Sequence, residues 1–268
     1  MKISLITFIA LPIALSATSI KEILSKGKKT LVENNHSQNN GSNRCLGDID
    51  VKKDEINKLN SCTSYQGNIK IILTDIEEVS LKSLKNLEGS ILVVGNSALK
   101  KLDFSGLKTV IGSIYIGANY QLNFVDFSNL ESSYKVAFKH NFELNNVKLT
   151  NLSECKDLSI TGSSIQDISV SRLTKIEGDL KFSKNTKLSR LNFNSLKSIG
   201  GDLEFGTNKK SSSLEAKLEK LETVKGGVTL RGLYEINLNS LKSIGSSLLV
   251  RDNDIKSLKL PKLESFIQ

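Results

Sequence analysis

The segment Leu107–Leu122 reads LKTVIGSIYIGANYQL, and Leu173–Leu188 reads LTKIEGDLKFSKNTKL. Each begins with a leucine, continues with an aliphatic residue, a glycine, an alternating apolar pair and an asparagine, and ends on a second leucine. Alternation at period two, rich in β-branched and aromatic residues, is typical of short strands rather than of helix. Each segment therefore predicts one coil made of strands and turns.

A second pattern, apolar-x-apolar-x-x-Leu, recurs about every 20 to 25 residues, and only Ala216 in it lacks a sizeable apolar group. A period of this size indicates a solenoid, because each unit buries its apolar face by stacking on its neighbours. We therefore predict a mostly β, parallel β-solenoid of about ten coils over residues 45–268. The copies are Val79-Leu81-Leu84, Leu102-Phe104-Leu107, Val125-Phe127-Leu130, Val147-Leu149-Leu152, Ile168-Val170-Leu173, Leu191-Phe193-Leu196, Ala216-Leu218-Leu221, Ile236-Leu238-Leu241 and Leu258-Leu260-Leu263.

Glycine and asparagine columns predict how the coils turn. Glycine just before the alternating pair suits a tight turn, and asparagine just after it tolerates turn dihedrals and can hydrogen-bond from coil to coil. The glycines are Gly89, Gly112, Gly178, Gly201 and Gly226. The asparagines are Asn96, Asn119, Asn141, Asn185, Asn208 and Asn253.

A leucine-rich-repeat horseshoe is the alternative architecture, since Ile111–Asn119 fits its opening consensus. That fold needs a helix or an extended turn on the far side of each repeat. Here the far side is strand-like, as in Leu102–Phe104, so we favour parallel β-sheets on more than one face. In Lys209–Lys225, leucines at helical spacing predict either a short helix or a bulged coil.

The amino terminus has the features of a secretory signal peptide. Residues 1–17 contain Lys2, an apolar run over Ile3–Leu15 and small residues for cleavage. The alternative, a membrane anchor, is disfavoured because the run is short for a bilayer. Residues 18–44 are polar and rich in Lys, Asn and Ser, which predicts a disordered lead-in.

The cysteines indicate an oxidising compartment. Cys62 takes the anchor-leucine place of an extra first coil, residues 45–71, and Cys45 precedes it by 17 residues. A Cys45–Cys62 disulfide would close the open end of the solenoid and contribute about 3 kcal/mol, the alternative being two free buried thiols. Cys155 falls in an inward column otherwise taken by Ile or Val, so we expect it to be buried and unpaired.

Glycosylation sequons, Asn-x-Ser, begin at Asn35, Asn40 and Asn151. A secreted chain is glycosylated at such sites when they are accessible, and chance matches are the alternative. Asn35 and Asn40 lie in the lead-in, whereas Asn151 flanks an anchor leucine.

The Cys45 and Cys62 coil, followed by Leu-x-x-Ile-x-Gly-x-Leu-x-Ile-x-x-Asn-x-x-Leu repeats, resembles the receptor L-domain repeats of fungal cell-wall proteins. That family is GPI-anchored and related to sporulation-specific wall proteins, and the resemblance covers about residues 45–266. It implies a right-handed β-solenoid of leucine-rich-repeat-like coils at the cell surface. It also implies a role in wall integrity or spore-wall assembly, with no known catalytic activity.

The sequence departs from that family at its carboxyl end. The family continues into a Ser/Thr-rich stalk and an apolar GPI tail, whereas this sequence stops at Phe266–Gln268 within a repeat. Either the protein is secreted without a lipid anchor or the sequence is incomplete, so we expect membrane attachment only through a GPI anchor that this sequence does not contain. An open strand edge also favours end-to-end self-association.

Catalytic motifs are hard to find. The two histidines, His36 and His140, fall in the lead-in and at a turn expected to be solvated, which disfavours a Ser/His/Asp or Cys/His nucleophile. The strongest enzyme hypothesis is a β-helix polysaccharide lyase or hydrolase that uses Asp103 and Asp126, outward residues of adjacent coils. The same column continues with lysine, serine and asparagine, so we interpret it as a solvated surface. We expect no cofactor and no metal.

The net charge and the positions of the lysines are the remaining indication of function. The formal net charge is +9, and lysines that follow anchor leucines form an interrupted basic stripe suited to acidic glycans, or serve solubility alone. These candidates for a polyanion contact are Lys85, Lys108, Lys197 and Lys242. A secreted chain without interleaved aromatic and basic residues does not suit nucleic acid.

Together these features predict a secreted, glycosylated, non-enzymatic protein of the fungal cell wall or cell surface. Its expected partner is wall polysaccharide or mannoprotein. The alternative is a receptor-like extracellular ligand-binding domain, and a polysaccharide-active enzyme is third.

Overall fold

The structure, a computed structural model, describes residues 43–206, 208 and 214–266. The predicted signal peptide, most of the lead-in, and the sequons at Asn35 and Asn40 lie outside the described residues. The described chain is mostly β, with parallel strands stacked as a solenoid of about nine turns. Its helix is α1, Glu55–Asn60, at the amino-terminal end. The predicted fold class is confirmed, and from Glu78 to Asn237 the far side of the coils is strand, as expected against the horseshoe alternative.

Most coils contribute strands to three ladders. The corner ladder lies just after the anchor leucine, and the central ladder is formed by the alternating pair. The corner strands are β1 (Arg44–Leu46), β3 (Ser64–Gln66), β6 (Asn86–Glu88), β15 (Lys175–Ile176), β18 (Ser198–Ile199), β21 (Thr223–Val224), β24 (Ser243–Ile244) and β26 (Ser265–Phe266). The central strands are β2 (Ile49–Asp50), β4 (Ile69–Ile72), β7 (Ile91–Val94), β16 (Leu180–Ser183), β19 (Leu203–Phe205), β22 (Val228–Leu230) and β25 (Leu248–Val250).

Three long strands run through both ladders and join them into one sheet of 18 strands. They are β9 (Thr109–Gly117), β11 (Ser132–Asn141) and β13 (Glu154–Ser163). The third ladder, the short ladder, forms two further sheets of four strands each. One contains β5 (Glu78–Ser80), β8 (Lys101–Asp103), β10 (Phe124–Asp126) and β12 (Asn146–Lys148), and the other β14 (Asp167–Ser169), β17 (Arg190–Asn192), β20 (Leu214–Lys217) and β23 (Leu233–Asn237).

The core consists of columns of apolar side chains, in which equivalent residues of successive coils stack on one another. The anchor leucines, such as Leu107 and Leu130, are fully buried. Phe104 and Phe127 stack in adjacent coils with ring centroids 5.2 Å apart. Each buried aliphatic or aromatic side chain contributes roughly 1.5–3 kcal/mol by leaving water. In-register stacking therefore holds the solenoid together.

The glycine column has a different cause from the one expected. Gly89, Gly112, Gly178, Gly201 and Gly226 are not among the residues with positive φ. Instead, a Cβ at Gly89 would collide with the backbone carbonyl of Gly67, and one at Gly112 with that of Gly89. Coil-to-coil approach at this corner leaves no room for a side chain, so close packing requires these glycines.

The asparagine column forms the expected ladder. Asn96, Asn119 and Asn141 are buried, and the Asn96 amide donates to the side-chain oxygen of Asn119 over 2.9 Å. Asn185 donates likewise to Asn208 over 3.2 Å. A left-handed backbone occurs in the residue before eight of the ladder positions, one residue earlier than expected. These residues include Leu73, Gly95, Ala118, His140, Gly162, Lys184, Gly232 and Asp252.

The exceptional coil at Lys209–Lys225 is bulged. Leu214 lies at the start of β20, and the register shifts between Leu214 and Glu215 against β23. The helical alternative is therefore wrong for the described part, 214–225, while residues 209–213 lie outside it. Leu214, Leu218 and Leu221 all point into the core from a non-helical backbone.

The first coil is closed as predicted. Cys45 of β1 and Cys62, just after α1, form a disulfide with Cα atoms 5.8 Å apart. Cys62 is buried, and Leu59 of α1 packs in the same core. The helix and the bridge together cover the amino-terminal end of the described core.

Candidate functional site

The coils of Leu130 and Leu152 have a shorter corner than their neighbours. The alternating pair begins seven residues after Leu107 and Leu173 but six residues after Leu130 and Leu152. Strand pairing shows where the residue is missing: Ser133 pairs with Val110, while Lys135 pairs with Ser113. A single residue, Tyr134, thus lies opposite Ile111 and Gly112.

The missing residue changes the surface of the solenoid. Strands β11 and β13 pass through the corner without a bulge of their own, whereas β9 carries an extra residue. The extra residue makes its coil project, and Ile111 is 66 % exposed there. Two recessed coils therefore lie between two projecting ones.

A groove of about 610 Å³ occupies this recess. We call it the corner groove. Neighbouring strands are about 4.8 Å apart, so the distance across its four coils is about 14 Å. Its lining residues are Val110, Ile111, Ser132, Ser133, Tyr134, Ser153, Glu154, Cys155, Lys156, Thr174, Lys175 and Glu177.

Tyr134 and Lys156 form the central pair of the corner groove. The Lys156 Nζ donates a hydrogen bond to the Tyr134 hydroxyl over 3.0 Å and lies 5.0 Å from the ring centroid. That hydrogen bond raises the pKa of Lys156. The ammonium group thus holds the tyrosine ring in place within the groove.

The charges around the corner groove balance. Lys175 pairs with Glu177 over 3.3 Å, and Glu154 and Lys156 lie beside them. Ser153 and Thr174 lie in one stacked column of the groove, and Ser132 lies in the next column, where it pairs with Glu154. Such a lining, polar and close to neutral, suits an uncharged ligand rich in hydroxyl groups rather than a polyanion.

Cys155 lies at the base of the corner groove. It is buried and unpaired, as predicted, and its Sγ donates to the carbonyl oxygen of Asp157 over 2.9 Å. Burial raises the pKa of the Cys155 thiol to about 12. The thiol is therefore protonated at neutral pH and is a poor nucleophile.

The four predicted lysines share one column but do not form a continuous stripe. Lys85 and Lys108 are adjacent, and the Lys108 amide donates to the carbonyl of Lys85 over 2.7 Å. Lys197 lies several coils away, and Lys242 forms an ion pair with Glu222 over 2.7 Å. The corner groove lies between the two ends of this column.

Asp103 and Asp126 pair in register on adjacent coils, but they are not solvated as expected. They are 7 % and 6 % exposed. The Asp126 carboxylate accepts from the Ser128 amide over 2.8 Å and from the Lys148 Nζ over 2.9 Å. Asp103 accepts likewise from the Ser105 amide over 3.1 Å. Both carboxylates close local turns, which sequence reasoning missed because it treated the column as surface.

The remaining candidate residues lie apart from the corner groove. His140 is half-buried with a left-handed backbone, and its ring centroid is 6.1 Å from that of Phe142. Asn151 is half-buried, and its amide lies 3.4 Å from the side-chain oxygen of Asn129. Over the described ranges, no three His, Cys, Asp or Glu side chains are placed to hold a metal ion.

Sequence reasoning missed the corner groove, although the signal was present. The Leu130 and Leu152 coils lack the corner glycine, and the distance from the anchor leucine to the alternating pair is one residue shorter in them.

Among residues 43–206, 208 and 214–266, no helix is long and apolar enough to cross a membrane. No protein-family model, curated protein or solved structure matches the chain.

Proposed function

We propose that this protein is a secreted, non-catalytic component of a fungal-type cell wall or cell surface, and that it binds wall polysaccharide or the glycan of a mannoprotein. The observation that carries the proposal is the corner groove. It combines a tyrosine ring and an exposed aliphatic side chain with three hydroxyl groups and balanced charges.

The chemistry of the groove matches that of a neutral sugar. A pyranose ring has an apolar C–H face, which packs on aromatic or aliphatic groups, and a rim of hydroxyl groups that need hydrogen-bond partners. Tyr134 and Ile111 offer the first kind of contact. Ser132, Ser153 and Thr174 offer the second.

The Cys45–Cys62 disulfide supports an extracellular location, because such bridges persist in oxidising compartments. The long strands β11 and β13 support a rigid binding surface, since they pair with each other through the corner. A rigid scaffold lowers the entropy cost of binding.

The test is retention of purified full-length protein on insoluble glucan, chitin and mannan, with reducing ends measured in the same samples. We expect retention on at least one polymer without new reducing ends, and about five- to ten-fold weaker retention for Tyr134→Ala. Released sugars would overturn the non-catalytic assignment.

The matched control is Phe124→Ala. Phe124 is also a half-buried aromatic with a lysine over its ring, Lys148 at 5.2 Å, but it lies on the short ladder. Equal loss in Phe124→Ala and Tyr134→Ala would show that retention is not specific to the corner groove. Absence of retention on every polymer would refute the proposed function.

A further inference from the structure

Tyr120 and Phe142 form an exposed aromatic pair at the turn that follows the central ladder. Their ring centroids are 5.9 Å apart and the ring planes differ by 2°. They are 43 % and 49 % exposed. Two adjacent exposed rings form one contiguous apolar patch, the kind of surface feature that marks interaction sites.

The turn holds both rings in fixed positions. Tyr120 follows Asn119 and Phe142 follows Asn141, and both asparagines are buried members of the hydrogen-bonded ladder. The Leu144 amide donates to the carbonyl of Asn141 over 3.0 Å, which closes the turn beneath Phe142. The pair is therefore preorganised rather than mobile.

The preceding coil leaves space beside the pair. Ser97, which is exposed, holds the equivalent position in the preceding coil, so a small hydroxymethyl group stands where a third ring would stack beside Tyr120. In the following coil the turn is one residue shorter, and Ser164 is buried with its amide bonded to the carbonyl of Leu144. An incoming ring can approach Tyr120 from the side of Ser97.

Polar groups surround the pair without giving it a net charge of one sign. Gln121, Asn123, Glu143 and Asn145 are exposed on the residues that follow each ring. Burial lowers the pKa of the nearby His140, with further lowering by Lys184 and Lys139, which favours its uncharged imidazole. Amide groups next to an uncharged aromatic surface suit sugar hydroxyls better than they suit ions.

We propose that Tyr120 and Phe142 form a second glycan contact, in which a pyranose ring stacks its C–H face on the aromatic pair. The neighbouring amide side chains hydrogen-bond its hydroxyl groups. This inference rests on the proposed function, but its site is separate from the corner groove. Tyr134 and Phe142 are eight residues apart along one strand and its turn, which is about 26 Å in extended backbone.

The test compares the double variant Tyr120→Ser/Phe142→Ser with the wild type. Serine is chosen because Ser97 occupies the same exposed position in the preceding coil, so the fold accepts it there. We expect an unchanged thermal midpoint by circular dichroism. Retention on the polymer that binds the wild-type protein should be about five- to ten-fold weaker.

The matched control is Tyr234→Ser. Tyr234 also follows a ladder residue, Leu233, and is 45 % exposed, but it lies within β23, and Asp254 rather than an aromatic residue follows the ladder asparagine of the next coil. This variant should be retained as well as the wild type. Equal loss in the control and in the double variant would overturn the proposal, since it would point to a general effect of exposed rings.

The outcomes separate this inference from the proposed function. If the double variant binds like the wild type while Tyr134→Ala binds weakly, the aromatic pair is not a glycan contact and the corner groove stands. If the double variant binds weakly while Tyr134→Ala binds normally, the aromatic pair is the contact and the groove is not. If the wild-type protein binds no glycan, both proposals fall.

Discussion

Asn119 donates a hydrogen bond from its side-chain amide to the side-chain oxygen of Asn141, 3.2 Å away in the next coil. The same amide group donates to the carbonyl oxygen of Val93 over 3.1 Å, and the Asn119 side-chain oxygen accepts from Asn96. Every polar atom of this buried carboxamide is thus paired. The ladder links three coils through side chains as well as through backbone.

Replacing Asn119 by alanine should lower the free energy of unfolding by about 3 kcal/mol, since partners in both neighbouring coils would lose their hydrogen bonds in a buried site. Urea denaturation followed by circular dichroism measures this loss. The control is Asn145→Ala, at an exposed position, which we expect to cost less than about 0.5 kcal/mol. Similar losses in the two variants would show that the ladder does not stabilise the fold.

Two glycines allow the stability cost of lost close packing to be compared with that of a left-handed backbone. Gly112 has no room for a Cβ against the carbonyl of Gly89, whereas Gly162 has φ of +69° and its nearest neighbour, His140, at 3.4 Å. Ala118 adopts φ of 54° at the equivalent turn, so alanine is tolerated there. We expect Gly112→Ala to cost about 3 kcal/mol and Gly162→Ala about 1 kcal/mol in the free energy of unfolding. The reverse order in urea denaturation would contradict the packing explanation.

The sequence predicts well which residues share a column, because each coil stacks in register on its neighbours in sequence. Leu107, Val110, Ile114 and Ile116 occupy inward positions as their spacing requires. Period-two alternation and a constant repeat length decide this, and both can be read without knowing any long-range contact.

What the sequence did not reveal depends on contacts between coils. The cause of the corner glycines, the burial of Asp103 and Asp126, and the corner groove all arise from how one coil meets the next. The pairing of Tyr120 with Phe142 has the same origin, since they are 22 positions apart in sequence and adjacent in space. A repeat alignment shows which residues share a column but not how far each coil projects.

The disulfide should stabilise the amino-terminal end. The double variant Cys45→Ser/Cys62→Ser removes a bridge between residues 17 apart, and we expect a loss of about 3 kcal/mol in the free energy of unfolding. Urea denaturation with and without a reductant measures it. Reductant should destabilise the wild type by a similar amount and leave the double variant unchanged. A wild type insensitive to reductant would contradict the prediction.

Acid should destabilise the fold partly through Asp126. Burial alone would raise the pKa of this carboxyl, but hydrogen bonds from Lys148 and Ser128 outweigh it and the pKa of Asp126 is lowered. A group whose pKa is lower in the folded state stabilises the fold above its unfolded pKa, near 4, and loses that contribution as pH falls through the folded value. We therefore expect the free energy of unfolding of the wild type to fall below about pH 4, and the fall to be smaller in Asp126→Asn. Urea denaturation from pH 7 to pH 2 measures both, with Asp75→Asn at an exposed position as the control. If Asp126→Asn and Asp75→Asn changed the pH dependence equally, the hydrogen bonds from Lys148 and Ser128 would not be its cause.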